Sequence, residues 1–186
     1  MCVHDRAAKE AAVARFLRDY PQAGQVENGH PALRGITDIA WSEIPDCPAA
    51  VPALFNGLLD EVASEEASRV LGIVLIDDVF HLSAAMPSAL PFLIRLALDR
   101  HVPGRAGLVD LLVFAAETSR HAGVEGDERF ALLVGTDADR PERAACRKVF
   151  AEHAASVRVL LDDDALSDGL LSAEERDSLM AADGSG

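Results

Sequence analysis

Apolar side chains recur at helical spacing along most of this chain, and the breaks between them fall at proline, glycine and aspartate. Residues 5–19 place Val13, Phe16 and Leu17 on one face, continued by Tyr20, with Asp5 as the N-cap and Pro21 closing the element. The stretch QAGQVENGHPALRG that follows has no period and reads as an irregular loop leading into ITDIAWSEI. Trp41, the single tryptophan, stands where that loop rejoins the body and is placed to anchor it by burial.

From Pro48 the pattern repeats itself. CPAAVPALFNGLLD at 47–60 lies over MPSALPFLIRLALD at 86–99 without a gap, pairing Pro48 with Pro87, Pro52 with Pro91, Leu54 with Leu93 and Asp60 with Asp99 at an offset of 39 residues. Residues 64–80 then set Ala67, Val70, Leu71, Val74 and Leu75 at helical spacing, and at the same offset Ala106, Val109, Leu112 and Val113 in 104–120 stand opposite Ala67, Val70, Ile73 and Val74. Both segments are apolar around much of their circumference, which predicts an interior layer. Periods near 40 mark HEAT- and armadillo-type helix pairs, whose units bury their apolar faces only by stacking. The two prolines of 86–99 predict a helix capped by Ser88, with Pro91 third in the helix and Pro87 in the approach turn; the alternative is a proline kink in a slightly longer helix.

Past residue 122 the repeat fades into GVEGDERFALLVGTDADRPER, a long connection holding the short apolar piece FALLV. Residues 141–161 return to helix, with Ala145, Val149, Phe150, His153 and Val157 roughly on one face, and Ser172 with Glu175 forms a capping box for a last helix ending near Met180. The expected fold is all-α: a right-handed α–α superhelix of about seven or eight helices in HEAT-like pairs. As a single domain over 1–186 it comprises an N-terminal helix and loop (1–46), two repeats (47–121), and a divergent repeat with an acidic cap (122–186).

Composition narrows the partner. The chain is 186 residues long and 49% hydrophobic, enough for a continuous core, and its net charge is −14. That sign argues against DNA, RNA and anionic lipid, which bind through Lys and Arg, and leaves two readings, solubility alone or a basic protein partner. The charge is uneven: residues 162–186 hold eight carboxylates against Arg176. Cys2, Cys47 and Cys146 are odd in number and scattered, which suits a reducing cytoplasm better than a disulfide framework or a zinc site. No segment has the apolar run of a signal peptide or a membrane span, so a soluble, unprocessed protein is expected.

Chemistry is sparse. Asp77, Asp78 and His81 make a DDxxH arrangement, and on a helix Asp77 and His81 would share a face at i, i+4, offering two metal ligands; the plainer alternative has His81 at the helix's C-terminal carbonyls and the aspartates in solvent. His101 and His121 follow His81 at twenty-residue intervals. Glu61, Glu65 and Glu66, and the run Asp162 to Asp164, are acidic sets that could recruit a cationic partner or simply be solvated. No nucleophile elbow, HExxH, GxGxxG or P-loop is present, and no cofactor is expected.

Around Trp41 and along AVPALFNGLL, DDVFHLSAAMPSALPFLIRLALD and VPGRAGLVDLLVFAAE, the sequence resembles small HEAT-like helical proteins of actinobacteria. In those a Trp-containing segment precedes a VPALL helix, a helix ending in His, a PFLleL helix and a DLL helix. The resemblance covers about residues 40–120 and departs at His81-Leu82-Ser83, where the group commonly has His-Gln-Gly. It implies a superhelix used as a binding surface with no attached chemistry. The expected function is non-catalytic protein binding, in the concrete form of an immunity or antitoxin-like protein masking a basic toxin or nuclease through Glu61, Glu65, Glu66, Asp77 and Asp78. The alternatives are a metal-dependent or hydrolytic enzyme using Asp77, Asp78 and His81, and a small-molecule-binding accessory protein of specialised metabolism.

Overall fold

A computed structural model describes residues 5–25, 29–120, 136–163 and 171–182, and these are predominantly helical. Helix α1 (Arg6–Asp19) begins as the sequence predicts, with the Asp5 carboxylate accepting from the Ala8 N–H at 2.8 Å, and buries Val13 and Phe16. The aperiodic stretch after it is a chain of short 3₁₀ turns at Pro21–Gly24, Pro31–Leu33, Ile36–Asp38 and Trp41–Glu43. Gly35, at φ +85°, supplies the left-handed residue between the second and third. Trp41 anchors this segment as expected: it is 3% exposed, and its indole N–H donates to the Ile36 carbonyl at 2.9 Å.

The two repeated units follow. The first is α2 (Val51–Gly57) and α3 (Ser64–Leu75); the second is α4 (Met86–Ala97) and α5 (Arg105–Ser119). The first helix of each unit is left by the same device, an aspartate accepting from the N–H two residues on: Asp60 from Val62 and Asp99 from His101, both at 2.9 Å. The helix starts differ. In α2, Pro52 is the second residue, where no hydrogen bond is lost. In α4 the start is Met86, so Pro87 takes the second place and Pro91 lies inside the helix, one turn deeper than the Ser88 cap predicts. The turn before α4 is made instead by buried Ser83, whose Oγ accepts from the Ala85 N–H and whose carbonyl accepts from Met86.

A second correction concerns 76–82. The helix predicted over 64–80 stops at Leu75, and a small antiparallel hairpin intervenes: β1 (Ile76–Asp78) pairs with β2 (His81–Leu82), with Ile76 opposite Leu82 and Asp78 opposite His81. The β-branched Ile76 and Val79 suit an extended path, and the Asp78 carboxylate closes the turn by accepting from the Phe80 N–H at 2.8 Å.

Beyond the second unit come α6 (Pro141–Glu152), α7 (Ala154–Leu161) and α8 (Ala173–Ala182). The single helix expected over 141–161 is two, broken at His153, which lets Phe150 from one and Val157, Leu160 and Leu161 from the other all reach the core. The capping box is formed: Glu175 N–H donates to Ser172 Oγ and Ser172 N–H to the Glu175 carboxylate. The expected FALLV segment, His121 and Asp164 lie outside the described residues.

α5 is the hub, packed against α3, α4, α6 and α8. Leu108, Leu112, Ala115 and Ala116 on it are essentially inaccessible, and each such leucine contributes about 1.5–3 kcal/mol by leaving water. Phe55 of α2 meets Phe92 of α4 edge-on at 5.8 Å, joining the first helices of the two units, and Trp41 lies 6.4 Å from Phe55. No helix among the described residues is long and apolar enough to cross a membrane.

Candidate functional site

The hairpin separates the residues that the DDxxH pattern suggests as partners. Asp77 turns to α1, where Lys9 Nζ donates to its Oδ1 at 2.6 Å; the lysine side chain is 1% exposed. Asp78 turns to His81, whose Nδ1 lies 2.8 Å from both carboxylate oxygens. Burial pushes the Asp78 carboxyl up, but hydrogen bonds from His81 and from the Phe80 N–H outweigh it and hold it below the ordinary carboxylate range. The shared helix face that would make Asp77 and His81 joint ligands is therefore absent, and His81 does not sit at helix carbonyls either. Among the described residues no group of three or more His, Cys, Asp or Glu could hold a metal ion. His101 is almost fully exposed and is tied to Asp99, which also meets His30.

The acidic candidates divide in the same way. Glu66 is engaged by Arg69 through two bonds of 2.6 and 2.7 Å, which lower its pKa. Glu61 and Glu65 are exposed and have no ion pair among the described residues. Of the Asp162 to Asp164 run, Asp163 is buried, held by Arg105 and by Arg100 at 2.6 Å.

These pairings sort charge by sign. Among the described residues the buried charged side chains are Lys9, Arg105, Arg143 and Asp163: three cations and one anion. Arg143 donates to the Thr118 and Arg120 carbonyls, closing the C-terminus of α5, where cations are favoured by the exposed carbonyls. Among the described residues the exposed charge is thus more negative than the total. Residues 35–68 contain seven carboxylates (Asp38, Glu43, Asp46, Asp60, Glu61, Glu65, Glu66) and no Lys, Arg or His.

Part of that stretch, together with α1, forms a depression of about 360 Å³, lined by Leu17 of α1, Thr37, Ile39, Trp41 and Ser42 of the 3₁₀ segment, and Ala49, Pro52 and Ala53 at α2. Its lining carries no charged side chain; the side-chain polar groups are the hydroxyls of Thr37 and Ser42. Periodicity gave no sign of it, because three separate elements build it. Lys9 did carry a signal: it stands at i−4 and i−7 from Val13 and Phe16, on the buried stripe of α1.

The two described cysteines, Cys47 and Cys146, are both buried. Burial raises the Cys47 thiol to about 11 despite nearby Lys9 and Arg6, and burial raises Cys146 further still. No family model matches the chain, and neither a curated protein nor a solved structure is significantly similar to it.

Proposed function

We propose that the chain is a HEAT-like helical-repeat module that binds a basic protein without catalysis, in the manner of an immunity or antitoxin protein. The observation that carries this reading is the balance of charge: among the described residues three cations are buried against one anion, while Asp38, Glu43, Glu61 and Glu65 stay outside without ion pairs. Such a surface steers a cationic partner and repels nucleic acid.

The repeat part of the reading is supported by how α3 meets α5. A Cβ on Gly107 would meet Ser68, and one on Gly72 would lie 4.0 Å from Leu111; Ser68 and Gly107, and Gly72 and Leu111, are each 39 residues apart. Stacked translational repeats bring equivalent positions face to face in this way.

The test is a tagged pull-down from the native host at low and moderate salt, followed by affinity measurement with the isolated partner. A stoichiometric basic protein is expected, bound more weakly as salt rises, with Glu61→Lys and Glu65→Lys each slowing association. Affinity unchanged across a wide salt range would count against the electrostatic reading, and a partnerless protein would count against a binding module.

A further inference from the structure

The depression beside Trp41 has the anatomy of an interface centre. Its lining is apolar, and exposed carboxylates stand next to it in sequence: Asp38 lies between the lining residues Thr37 and Ile39, and Glu43 follows lining Ser42. Protein interfaces concentrate binding energy in such a desolvated central pocket and place charge around it. A site for a free metabolite would be expected to offer convergent polar groups for orientation. Here two hydroxyls stand in an open, otherwise apolar surface. The nearest basic side chain in sequence, Arg18 beside Leu17, is already engaged by Asp19 at 3.4 Å.

We propose that this pocket takes one large apolar side chain carried on a lysine- or arginine-rich segment of the protein partner, the apolar group seating against Trp41, Pro52 and Ala53 and the flanking cations meeting Asp38 and Glu43. The assignment rests on the binding-module reading and names the part of the partner that the module grips.

Trp41 is the only tryptophan, so its emission reports on this pocket directly. The probes are three tryptophan-free peptides: a central Phe flanked by lysines, the same peptide with a central Ser, and a central Phe flanked by glutamates. The lysine-flanked Phe peptide should shift Trp41 emission saturably and bind about tenfold more tightly than the Ser peptide, as a filled central pocket does. Ala49→Phe, at an exposed lining position, should abolish that preference, and Ser42→Phe gives a second blocking variant. Asp38→Lys combined with Glu43→Lys should weaken binding about tenfold and flatten its salt dependence.

Equal affinity for the Phe and Ser peptides, equal affinity for the glutamate-flanked peptide, or no saturable shift would each overturn the proposal. Free indole competing as well as the lysine-flanked peptide would also overturn it and reassign the pocket to a small apolar ligand. A partner from the host whose binding ignores Ala49→Phe but falls with Glu61→Lys overturns the pocket and leaves the module standing. Peptide preference with no basic partner does the reverse.

Discussion

In the first unit α2 carries Gly57 where the second unit's α4 carries the fully buried Leu96, 39 residues on. A Cβ on Gly57 would lie 2.5 Å from Phe16 Cζ and 3.0 Å from Ala67 Cβ, so the first unit omits a side chain to admit α1, while the second fills the place itself. Charge differs in parallel. The first unit, with the loop before it, is free of cations from Gly35 to Ser68, whereas the second holds Arg95, Arg100 and Arg105. Arg95 lies over the Phe92 ring at 4.6 Å, and the other two grip Asp163 after α7. The shared apolar code makes helix pairs that stack. The residues that depart from it decide what covers each pair: α1 on one, the C-terminal helices on the other.

The largest effect should come from the ion pair that ties α1 to the hairpin. Asp77→Ala strands the buried Lys9 ammonium and should cost about 3–5 kcal/mol in denaturant unfolding, whereas adding Lys9→Met to it should restore much of the loss. Equal loss in both proteins would show that charge burial is not the cause. Gly57→Ala comes next, at about 1–3 kcal/mol, through overpacking against Phe16. Its relief by Phe16→Leu would tie the effect to α1 docking.

A smaller change is expected at the hairpin. Because Asp78 is held below its ordinary value of about 3.9, its stabilising contribution is complete above that pH and disappears as pH falls through the lower folded value. Asp78→Asn should therefore be less stable than the parent by about 1 kcal/mol near neutrality, and melting temperatures of the two should converge under acid conditions. Last, alkylation mapped by mass spectrometry at neutral pH should leave Cys47 and Cys146 unmodified in the folded protein and modify both in denaturant, since each is buried and its thiolate disfavoured.

Local signals were readable in advance. The Asp5 cap, the Ser172 and Glu175 box, the Trp41 anchor and the offset of the two units all depend on residues near one another in sequence or on simple periodicity. The hairpin escaped because Val74 and Leu75 carry the helical apolar pattern up to its edge, and the turn is decided by a local bond from Phe80 to Asp78 that periodicity does not register. The start of α4 escaped because its N-cap, Ala85, has no capping side chain, and the turn before it is made by buried Ser83, whose Oγ accepts from the Ala85 N–H. The Lys9 to Asp77 pair spans 68 residues, and the pocket joins α1, a 3₁₀ segment and α2, so neither leaves a trace in any short window.

The burial of Lys9 also has a practical side. The chain contains two lysines, and the other, Lys148, projects from α6 with 77% of its side chain exposed. Amine-directed reagents acting on the folded protein will find one lysine handle, on the face of the molecule built by the C-terminal helices and remote in sequence from the acidic stretch, so a dye or a surface tether can be attached there without touching the pocket's own residues.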